Sequence, residues 1–272
     1  MRLSSAILLT SLLVVNSSSS WELGPFERED GHNPVLGPLE STAFHCPIQQ
    51  QKVQWEAKDV FNPSAVVKDG KVHLHYRAED HVGRLAGTSR IGLAVSSDGH
   101  TFARAERRTE PVLFPAQDAF QKFEWPGGIE DPRVVRDEEG QRWVMTYTSY
   151  DGTARLCAAT STDLISWEKH GPVFAGTAFA DAWSKSGAVV VKLVERRGEE
   201  DPGAVEMVAA RLPDGLYRMY WGEVISSTTA LRDIVASDDK AVLQESNACA
   251  SSEPADIGTW CMRGYLSRLL CD

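Results

Sequence analysis

Short apolar segments separated by tight turns recur along the chain. Three pairs of such segments flank turns rich in acidic residues and glycine: residues 64–67 and 72–76, residues 134–135 and 143–147, and residues 205–210 and 217–221. Two apolar runs joined by a turn of this composition are a strong short-range signal of a β-hairpin. No long helical periodicity competes with them. The pattern therefore predicts three antiparallel hairpins and an all-β fold.

A second repeat links these hairpins. An apolar strand followed by a Ser-x-Asp turn occurs at residues 91–98 and again at residues 156–163, and the aromatic residues Phe102 and Trp167 close the two copies. A weaker third copy lies at residues 234–239. The copies are roughly 65 and 75 residues apart, which suits one propeller blade with its excursions. We therefore expect four-stranded antiparallel units arranged radially.

Composition narrows the class of partner. The formal net charge is -10, with 38 acidic against 28 basic residues, and this argues against nucleic acid or an anionic membrane. Eight tryptophans together with many carboxylates suit carbohydrate, because aromatic rings stack on sugar C–H faces and carboxylates bind hydroxyls. The five cysteines lack the spacing of a zinc site, and no nucleotide loop or nucleophile elbow is present. No metal and no organic cofactor is expected.

The first 20 residues have the pattern of a secretory signal peptide. Arg2 precedes an apolar run at residues 6–15, and small polar residues follow up to Ser20. A run of about ten apolar residues is too short to span a bilayer comfortably. We expect cleavage near Trp21, a secreted protein and no membrane contact after cleavage. An uncleaved anchor or a buried strand is the alternative.

The strongest local motif is Trp-Pro-Gly-Gly-Ile-Glu-Asp-Pro-Arg-Val at residues 125–134. The Pro-Gly-Gly segment permits unusual turns, and two adjacent carboxylates, Glu130 and Asp131, follow just before a strand. Successive strand residues face opposite sides, so we expect one carboxylate to point into a cavity and the other to orient its neighbours. A solvated acidic turn is the alternative interpretation of this motif.

Seven motifs in order resemble glycoside hydrolase family 130, which comprises β-mannoside phosphorylases and related hydrolases. They cover about residues 30–245 and lie at residues 61–65, 76–80, 89–94, 128–133, 146–152, 183–188 and 219–223. Each motif is weak alone, but seven in the same order are fairly specific. The resemblance implies a five-bladed β-propeller that binds sugar in its central cavity.

The resemblance also implies roles for individual residues. Asp131 matches the general acid, which protonates the glycosidic oxygen through a sugar hydroxyl while inorganic phosphate attacks the anomeric carbon with inversion. Arg155 and Lys185 resemble phosphate-binding positions, where Arg suits bidentate contact and Lys acts as a point charge. The positions that resemble sugar ligands are Asn62, Arg77, Asp80, Arg90 and Tyr147. Turn residues, ion pairs and a core tyrosine are the purely structural alternatives.

The number of predicted blades indicates whether the sequence holds a complete propeller. At about 65 residues per blade, five blades need somewhat over 300 residues, whereas residues 21–245 hold about four. Residues 246–272 carry three of the five cysteines and lack the blade pattern. A truncated or mis-spliced gene product is favoured over a divergent cap, because an incomplete ring exposes its sheet edges.

Three functions stay open at this point. The first is a phosphorylase that converts β-linked mannosides or related oligosaccharides and phosphate to mannose 1-phosphate. The second is a secreted β-mannosidase in which Glu223 is a possible second carboxylate that activates water. The third is an impaired, sugar-binding remnant of the fold, since the basic, His-containing phosphate motif of the family's later blades is not found after Glu223.

Overall fold

The structure is a computed structural model that describes residues 30–82, 85, 87–105, 109–137, 139, 141–177, 179–195, 205–211, 213, 217–223 and 258–263. The predicted signal peptide and the third Ser-x-Asp copy at residues 234–239 lie outside these residues. Residues 1–33 and residues 34–272 form separate units. In the first unit, residues 30–32 form a turn, and every strand belongs to the second unit.

The second unit begins with a two-stranded hairpin and a four-stranded blade, both antiparallel. A short hairpin of β1 (Phe44–Cys46) and β2 (Gln51–Val53) precedes the first blade. That blade contains four antiparallel strands in sequence order: β3 (Asp59–Lys68), β4 (Lys71–Glu79), β5 (Ser89–Ser96) and β6 (Ala103–Arg104). The turn between β3 and β4 is the first predicted hairpin, which is confirmed.

The second blade repeats this order after a single helical turn, α1 (Gln121–Glu124). Its strands are β7 (Gly128–Arg136), β8 (Trp143–Tyr150), β9 (Ala154–Ser161) and β10 (Glu168–Pro172). A single parallel bridge between Ser89 and Gly128 connects the two blades. Gly128 has φ 109°, and a side chain there would collide with the main chain of Ser89. The Pro-Gly-Gly motif is therefore needed where the two blades meet.

The third sheet combines strands that are distant in sequence. β11 (Ser184–Val189) continues almost directly into β12 (Val191–Glu195), and β13 (Val205–Ala209), β14 (Arg218–Glu223) and β15 (Gly258–Arg263) follow. The sheet order is β11-β14-β15, whereas β12 pairs with β13. β15 lies inside the segment that was predicted to lack a blade pattern, so part of that segment does carry a strand.

The third predicted hairpin forms only as a single antiparallel bridge, between Arg211 and Tyr217. Residues 205–210 and 217–221 do form strands, but β13 pairs with β12, and β14 pairs with β11 and β15. The reason is that β11 and β12 together extend over residues 184–195, with Val190 between them. The Val190 N–H donates to the carbonyl of Arg218, and the Val190 carbonyl accepts from Ala210. One long run therefore has room for two successive partners.

Hydrophobic clusters lie between consecutive blades. One cluster joins β5 of the first blade to β7, β8 and β9 of the second, and it includes Ile91, Ile129 and Met145, none of them exposed to solvent. Another joins the second blade to the third sheet through Leu156, Met219 and other residues. β8 and β9 are buried on both faces, as expected for strands with sheets on either side. Blade-to-blade packing therefore supplies two parts of the core, and a third cluster packs β1 and β2 against β4 and β5 of the first blade.

The Ser-x-Asp turns are confirmed as a local hydrogen-bonding unit. The Ser96 hydroxyl donates to the Asp98 carboxylate at 2.8 Å, and Ser161 donates to Asp163 at 2.9 Å. Each Asp then accepts the main-chain N–H groups two and three residues later. These N–H donors hold the pKa of Asp98 far below its usual range. The turns therefore form from interactions within six residues, independently of the rest of the fold.

The fold is thus all-β and has the bladed arrangement of a five-bladed β-propeller. The described residues form two four-stranded blades, three strands of a third sheet and the β1–β2 and β12–β13 hairpins, and these strands do not close a ring. The sequence predicted about four blades in residues 21–245. No helix among the described residues is long and apolar enough to cross a membrane.

Candidate active site

The same irregularity interrupts the first strand of each sheet. The pairing with the neighbouring strand shifts between residues 61 and 64 of β3, 130 and 133 of β7, and 185 and 188 of β11. Each bulge contains a non-glycine residue at positive φ: Asn62 at 47°, Asp131 at 50° and Ser186 at 58°. Bulges re-aim side chains and are common next to active sites. The three bulges therefore mark one end of the first strands as the candidate site.

A buried aromatic residue lies opposite each bulge in the strand register. The register places Tyr76, Tyr147 and Trp221 opposite the extra residues of β3, β7 and β11. All three are at most 4% exposed.

Asp131 is held by donors from another blade. The Asn62 amide donates to Asp131 Oδ1 at 2.8 Å, and Arg77 Nη1 donates to the same oxygen at 3.1 Å. The Asp131 side chain is 17% exposed. Among the described residues, none donates to its second oxygen, Oδ2. The carboxylate is thus fixed in position on one side and open to a ligand on the other.

Arg77 connects three carboxylates. Its Nη2 contacts Glu79 Oε1 at 2.5 Å and Glu130 Oε1 at 3.1 Å, in addition to the contact of Nη1 with Asp131. The face of the guanidinium lies 4.6 Å from the centre of the Phe61 ring. Lys58 offsets part of the negative charge through an ion pair with Glu79 at 2.9 Å. The planar five-donor group of arginine allows one side chain to hold all three.

The acidic neighbours change the protonation of Glu130. Burial raises its pKa to about 7, and the charges of Asp131 and Glu79 add to this shift, while Arg77 and Lys185 oppose it. Near neutral pH this carboxyl group is therefore divided between its protonated and ionised forms. A carboxyl group beside a site that needs proton transfer is well placed at such a pKa.

The two carboxylates of the Glu-Asp pair meet one guanidinium through different atoms. Alternation along a strand predicted that Glu130 and Asp131 would not act on the same atom, and Glu130 contacts Arg77 Nη2 while Asp131 contacts Arg77 Nη1, each at 3.1 Å. The bulge explains why both reach the same side chain, because a residue at positive φ interrupts the strict two-residue alternation. Both carboxylates of the motif therefore belong to one cluster.

Two predicted sugar ligands form a separate, fully buried pair. Arg90 Nη1 lies 2.6 Å from Asp80 Oδ2, and the two side chains are 1% and 0% exposed. The other oxygen of Asp80 accepts the N–H groups of Val82 and Thr88. The structure therefore places Asp80 and Arg90 inside the first blade, where they stabilise the turn between β4 and β5. Contact of either residue with sugar stays a prediction.

Tyr147 is also buried. Its hydroxyl donates to Glu124 Oε1 at 3.1 Å, and Lys169 donates to Glu124 Oε2 at 2.6 Å. Burial raises the pKa of Glu124 to about 7, although Lys169 opposes the shift. Burial also raises the pKa of Tyr147. This cluster anchors α1 against the second blade, and contact of Tyr147 with sugar stays a prediction.

The predicted phosphate ligands differ in environment. Arg155 forms an ion pair with Asp151 at 2.9 Å, and its guanidinium lies 5.4 Å from the Phe123 ring. Lys185 is exposed on β11, and its charge lowers the pKa of Glu130. β11 lies close to β7, the strand that carries Glu130 and Asp131. Glu223 is the last residue of β14 and pairs with Ser184 in the register of that sheet.

A hollow lies next to the bulges. It has a volume of about 540 Å³ and is lined by the strand segments that follow the three bulges and by the β12–β13 hairpin, including Val66, Val134, Leu193 and Met207. Asp131 is not among its lining residues. The lining is mainly apolar, and sugar hydroxyls would lose hydrogen bonds there. We therefore place the candidate site at the bulges.

The family model of glycoside hydrolase family 130, described as beta-1,4-mannooligosaccharide phosphorylase, matches residues 27–209. The chain belongs to glycoside hydrolase family 130. This match includes all three bulges and every predicted site residue except Glu223.

Relatives in family 130 have more than one activity in their names. The 1,2-beta-oligomannan phosphorylase of Thermoanaerobacter sp. (strain X514) is 37% identical over 136 residues, which are 47% of this chain and 43% of the relative. A glycosyl hydrolase structure from Bacteroides ovatus is 40% identical, with a TM-score of 0.67 over 75% of this chain and 54% of that one.

A further solved structure comes from work on family 130 glycoside hydrolases that target beta-1,2 mannosidic linkages in Candida mannan. It is 44% identical, with a TM-score of 0.67 over 75% of this chain and 55% of that one. The chain thus spans about half the length of these relatives.

Several residues of this family 130 site were not assigned a role from the sequence. Glu79, Lys58 and Phe61 surround Arg77, and Ser186 occupies the third bulge. A signal for the bulges was present in the sequence. Asn62-Pro63 and Asp131-Pro132 each place a residue that tolerates positive φ before a proline that cannot donate to the ladder.

Proposed function

We propose that this family 130 chain cleaves β-mannosidic bonds by phosphorolysis, with Asp131 as the general acid. The observation that carries the proposal is the position of Asp131. Its carboxylate is fixed across two blades by Asn62 and Arg77 at 2.8 and 3.1 Å, with its second oxygen free of donors among the described residues. A carboxyl group held in this way can deliver a proton to a ligand at the bulges.

The reaction needs one carboxylic acid. Asp131 in its protonated form donates the proton, directly or through a sugar hydroxyl, to the glycosidic oxygen as the bond from that oxygen to the anomeric carbon breaks. A phosphate oxygen forms the new bond to the anomeric carbon from the opposite face, and the configuration inverts. Phosphate brings its own nucleophilic oxygen, so the second carboxylate of an ordinary inverting hydrolase is not required. The products are mannose 1-phosphate and the shortened mannoside.

The charge distribution supports an anionic acceptor on the β11 side. Glu79, Glu130 and Asp131 lie around Arg77, whereas Lys185 is exposed on β11. An anion near the three carboxylates would be repelled, while one beside Lys185 would be attracted. We propose Lys185 as the main phosphate ligand and Arg155 as a second one, once phosphate competes with Asp151 for its guanidinium.

Hydrolysis is the second candidate, and a specific observation favours it. The Arg155 guanidinium already has a carboxylate partner at 2.9 Å in Asp151, which reduces its availability for phosphate. Relatives that are 40% and 44% identical are also described as hydrolases. In this case water would be the nucleophile, and Glu223 remains the proposed base.

A product assay distinguishes the two candidates. The purified 272-residue protein is incubated with β-1,4-mannobiose or β-1,2-mannobiose, with and without phosphate, and mannose and mannose 1-phosphate are quantified. We expect mannose 1-phosphate only when phosphate is present. Phosphate-independent release of mannose would establish hydrolysis instead, and absence of both products would contradict glycoside cleavage by this chain.

Asp131→Asn tests the acid, and Asp69→Asn is its matched control. Both residues are aspartates at nearly the same positive φ, 50° and 51°, but Asp69 lies exposed at the tip of the β3–β4 hairpin. We expect Asp131→Asn to lower kcat by about 10²–10⁴-fold, with little change in the free energy of unfolding. Asp69→Asn should retain wild-type kcat. Equal rates for the two variants would remove Asp131 from the mechanism.

A further inference from the structure

The bulge of β11 is equivalent to the other two bulges residue by residue. The last paired residue before the shift is Phe61 in β3, Glu130 in β7 and Lys185 in β11. The next residue is at positive φ in every case: Asn62, Asp131 and Ser186. Ser186 therefore occupies, on the third sheet, the position that the proposed acid occupies on the second.

In each of the first two bulges, the last paired residue and the residue at positive φ both contact the cluster of Arg77 and Asp131. Glu130 and Asp131 both contact Arg77, and Phe61 lies beneath the Arg77 guanidinium while Asn62 donates to Asp131. The shared cause is the interruption of strand alternation at the bulge. The same backbone in β11 brings Lys185 and Ser186 to one side of the strand. β11 lies close to β7, the strand that carries Glu130 and Asp131.

The conformation of Ser186 has an energetic cost. Asn and Asp adopt positive φ readily because their short side chains bond locally, whereas serine has no comparable advantage. Strained residues of this kind cluster at functional sites. Glycine would relieve the strain but would lack a hydroxyl group. A serine at this position therefore points to a role for the hydroxyl group.

We infer that Ser186 is a further phosphate-binding residue, which donates a hydrogen bond from its hydroxyl group to the phosphate that Lys185 attracts. This inference rests on the proposed phosphorolysis. An ammonium group and a neighbouring hydroxyl donor suit an oxyanion, because the first supplies charge and the second supplies direction. The acidic cluster around Arg77 binds the mannoside. The two substrates therefore occupy opposite sides of the site that the three bulges form.

The test compares Ser186→Gly and Ser186→Ala with the wild type. Both variants lose the hydroxyl group, but only alanine retains strain at positive φ. We expect the KM for phosphate and the Kd for inorganic phosphate, measured by calorimetry, to rise about tenfold or more in both variants, as for a lost hydrogen bond to a charged group. The KM for mannobiose should change less than twofold. Gln50→Gly is the control, because Gln50 has φ 54° and is exposed outside the bulges.

The outcomes separate this inference from the proposed function. If the wild type uses phosphate and Ser186→Gly keeps the wild-type KM for phosphate, Ser186 is not a ligand, while phosphorolysis stands. A loss confined to Ser186→Ala would assign the residue a backbone role and overturn the inference. If the wild type neither binds phosphate by calorimetry nor forms mannose 1-phosphate, both the inference and phosphorolysis are rejected.

Discussion

Two arginine clusters on adjacent strands of the first blade differ in composition and exposure. Arg90 on β5 meets one carboxylate, Asp80, in a pair that is 1% and 0% exposed. Arg77 on β4 meets three carboxylates and remains 14% exposed. Ala78, next to Arg77 in the chain, lies directly opposite Arg90 in the β4–β5 register. The two clusters therefore lie on the same pair of strands, but they differ in the number of carboxylates for each arginine.

The difference distinguishes a structural ion pair from a reactive cluster. In the Arg90 pair the charges are equal, and main-chain N–H groups satisfy the remaining oxygen of Asp80. In the Arg77 cluster the carboxylates are in excess, and burial, together with the charges of Asp131 and Glu79, raises the pKa of Glu130 to about 7. A carboxyl group with such a pKa can exchange a proton near neutral pH.

Breaking the balanced pair should have the strongest effect. Arg90→Ala leaves the Asp80 charge buried without its partner, and we expect the free energy of unfolding to fall by about 3–5 kcal/mol. Urea denaturation measures the change. Arg211→Ala is the control, because its pair with Glu139 is largely exposed and should contribute less than about 1 kcal/mol. Similar losses in the two variants would contradict the structural role of the Arg90 pair.

Changing the centre of the unbalanced cluster should affect activity more than stability. Arg77→Lys keeps the charge but loses the planar donors that reach three carboxylates. We expect kcat/KM for mannobiose to fall by about 10²-fold, with a smaller loss of stability than for Arg90→Ala. Arg104→Lys is the matched control, since Arg104 binds both oxygens of the buried Glu56 outside the bulges. A comparable loss of activity in both would show that Arg77 acts through folding alone.

The smallest expected effect is a change in how the free energy of unfolding depends on pH. The pKa of Glu130 is raised from 4.5 to about 7, so the folded protein binds this proton more tightly than the unfolded chain. The associated stability is complete below about pH 4.5 and is lost as pH rises through about 7. Glu130→Gln should remove up to about 3 kcal/mol of this decline between pH 5 and pH 8. Urea denaturation at both pH values measures it.

Glu124 offers a comparison for the same measurement. Its pKa is also raised to about 7 by burial, but it lies with Tyr147 and Lys169 rather than with Arg77. Glu124→Gln should flatten the pH dependence in the same direction, and the double variant should flatten it further. A decline in Glu130→Gln as steep as in the wild type would show that Glu130 does not carry the raised pKa.

Local patterns in the sequence were enough to predict the hairpin of the first blade, the hairpin of the second blade and both described Ser-x-Asp turns. Each depends on residues close together in the chain, such as Ser96 and the N–H groups up to Thr101. The order of the motifs was enough for the family and, with it, for the bladed fold. A pattern that repeats along the chain predicts these features because the same short-range hydrogen bonds form in every copy.

The site depended on contacts between distant segments. Asn62 and Asp131 are 69 positions apart, and Arg77 and Asp131 are 54 apart. Alternation alone did not predict that Glu130 and Asp131 meet the same guanidinium, sequence proximity gave the wrong partner for β13, and Asp80 and Arg90 are buried together. No local rule determines these features, because bulge direction, burial and charge balance arise only when the blades pack against one another. The raised pKa of Glu130 has the same origin, since it needs both desolvation and the carboxylates of two blades.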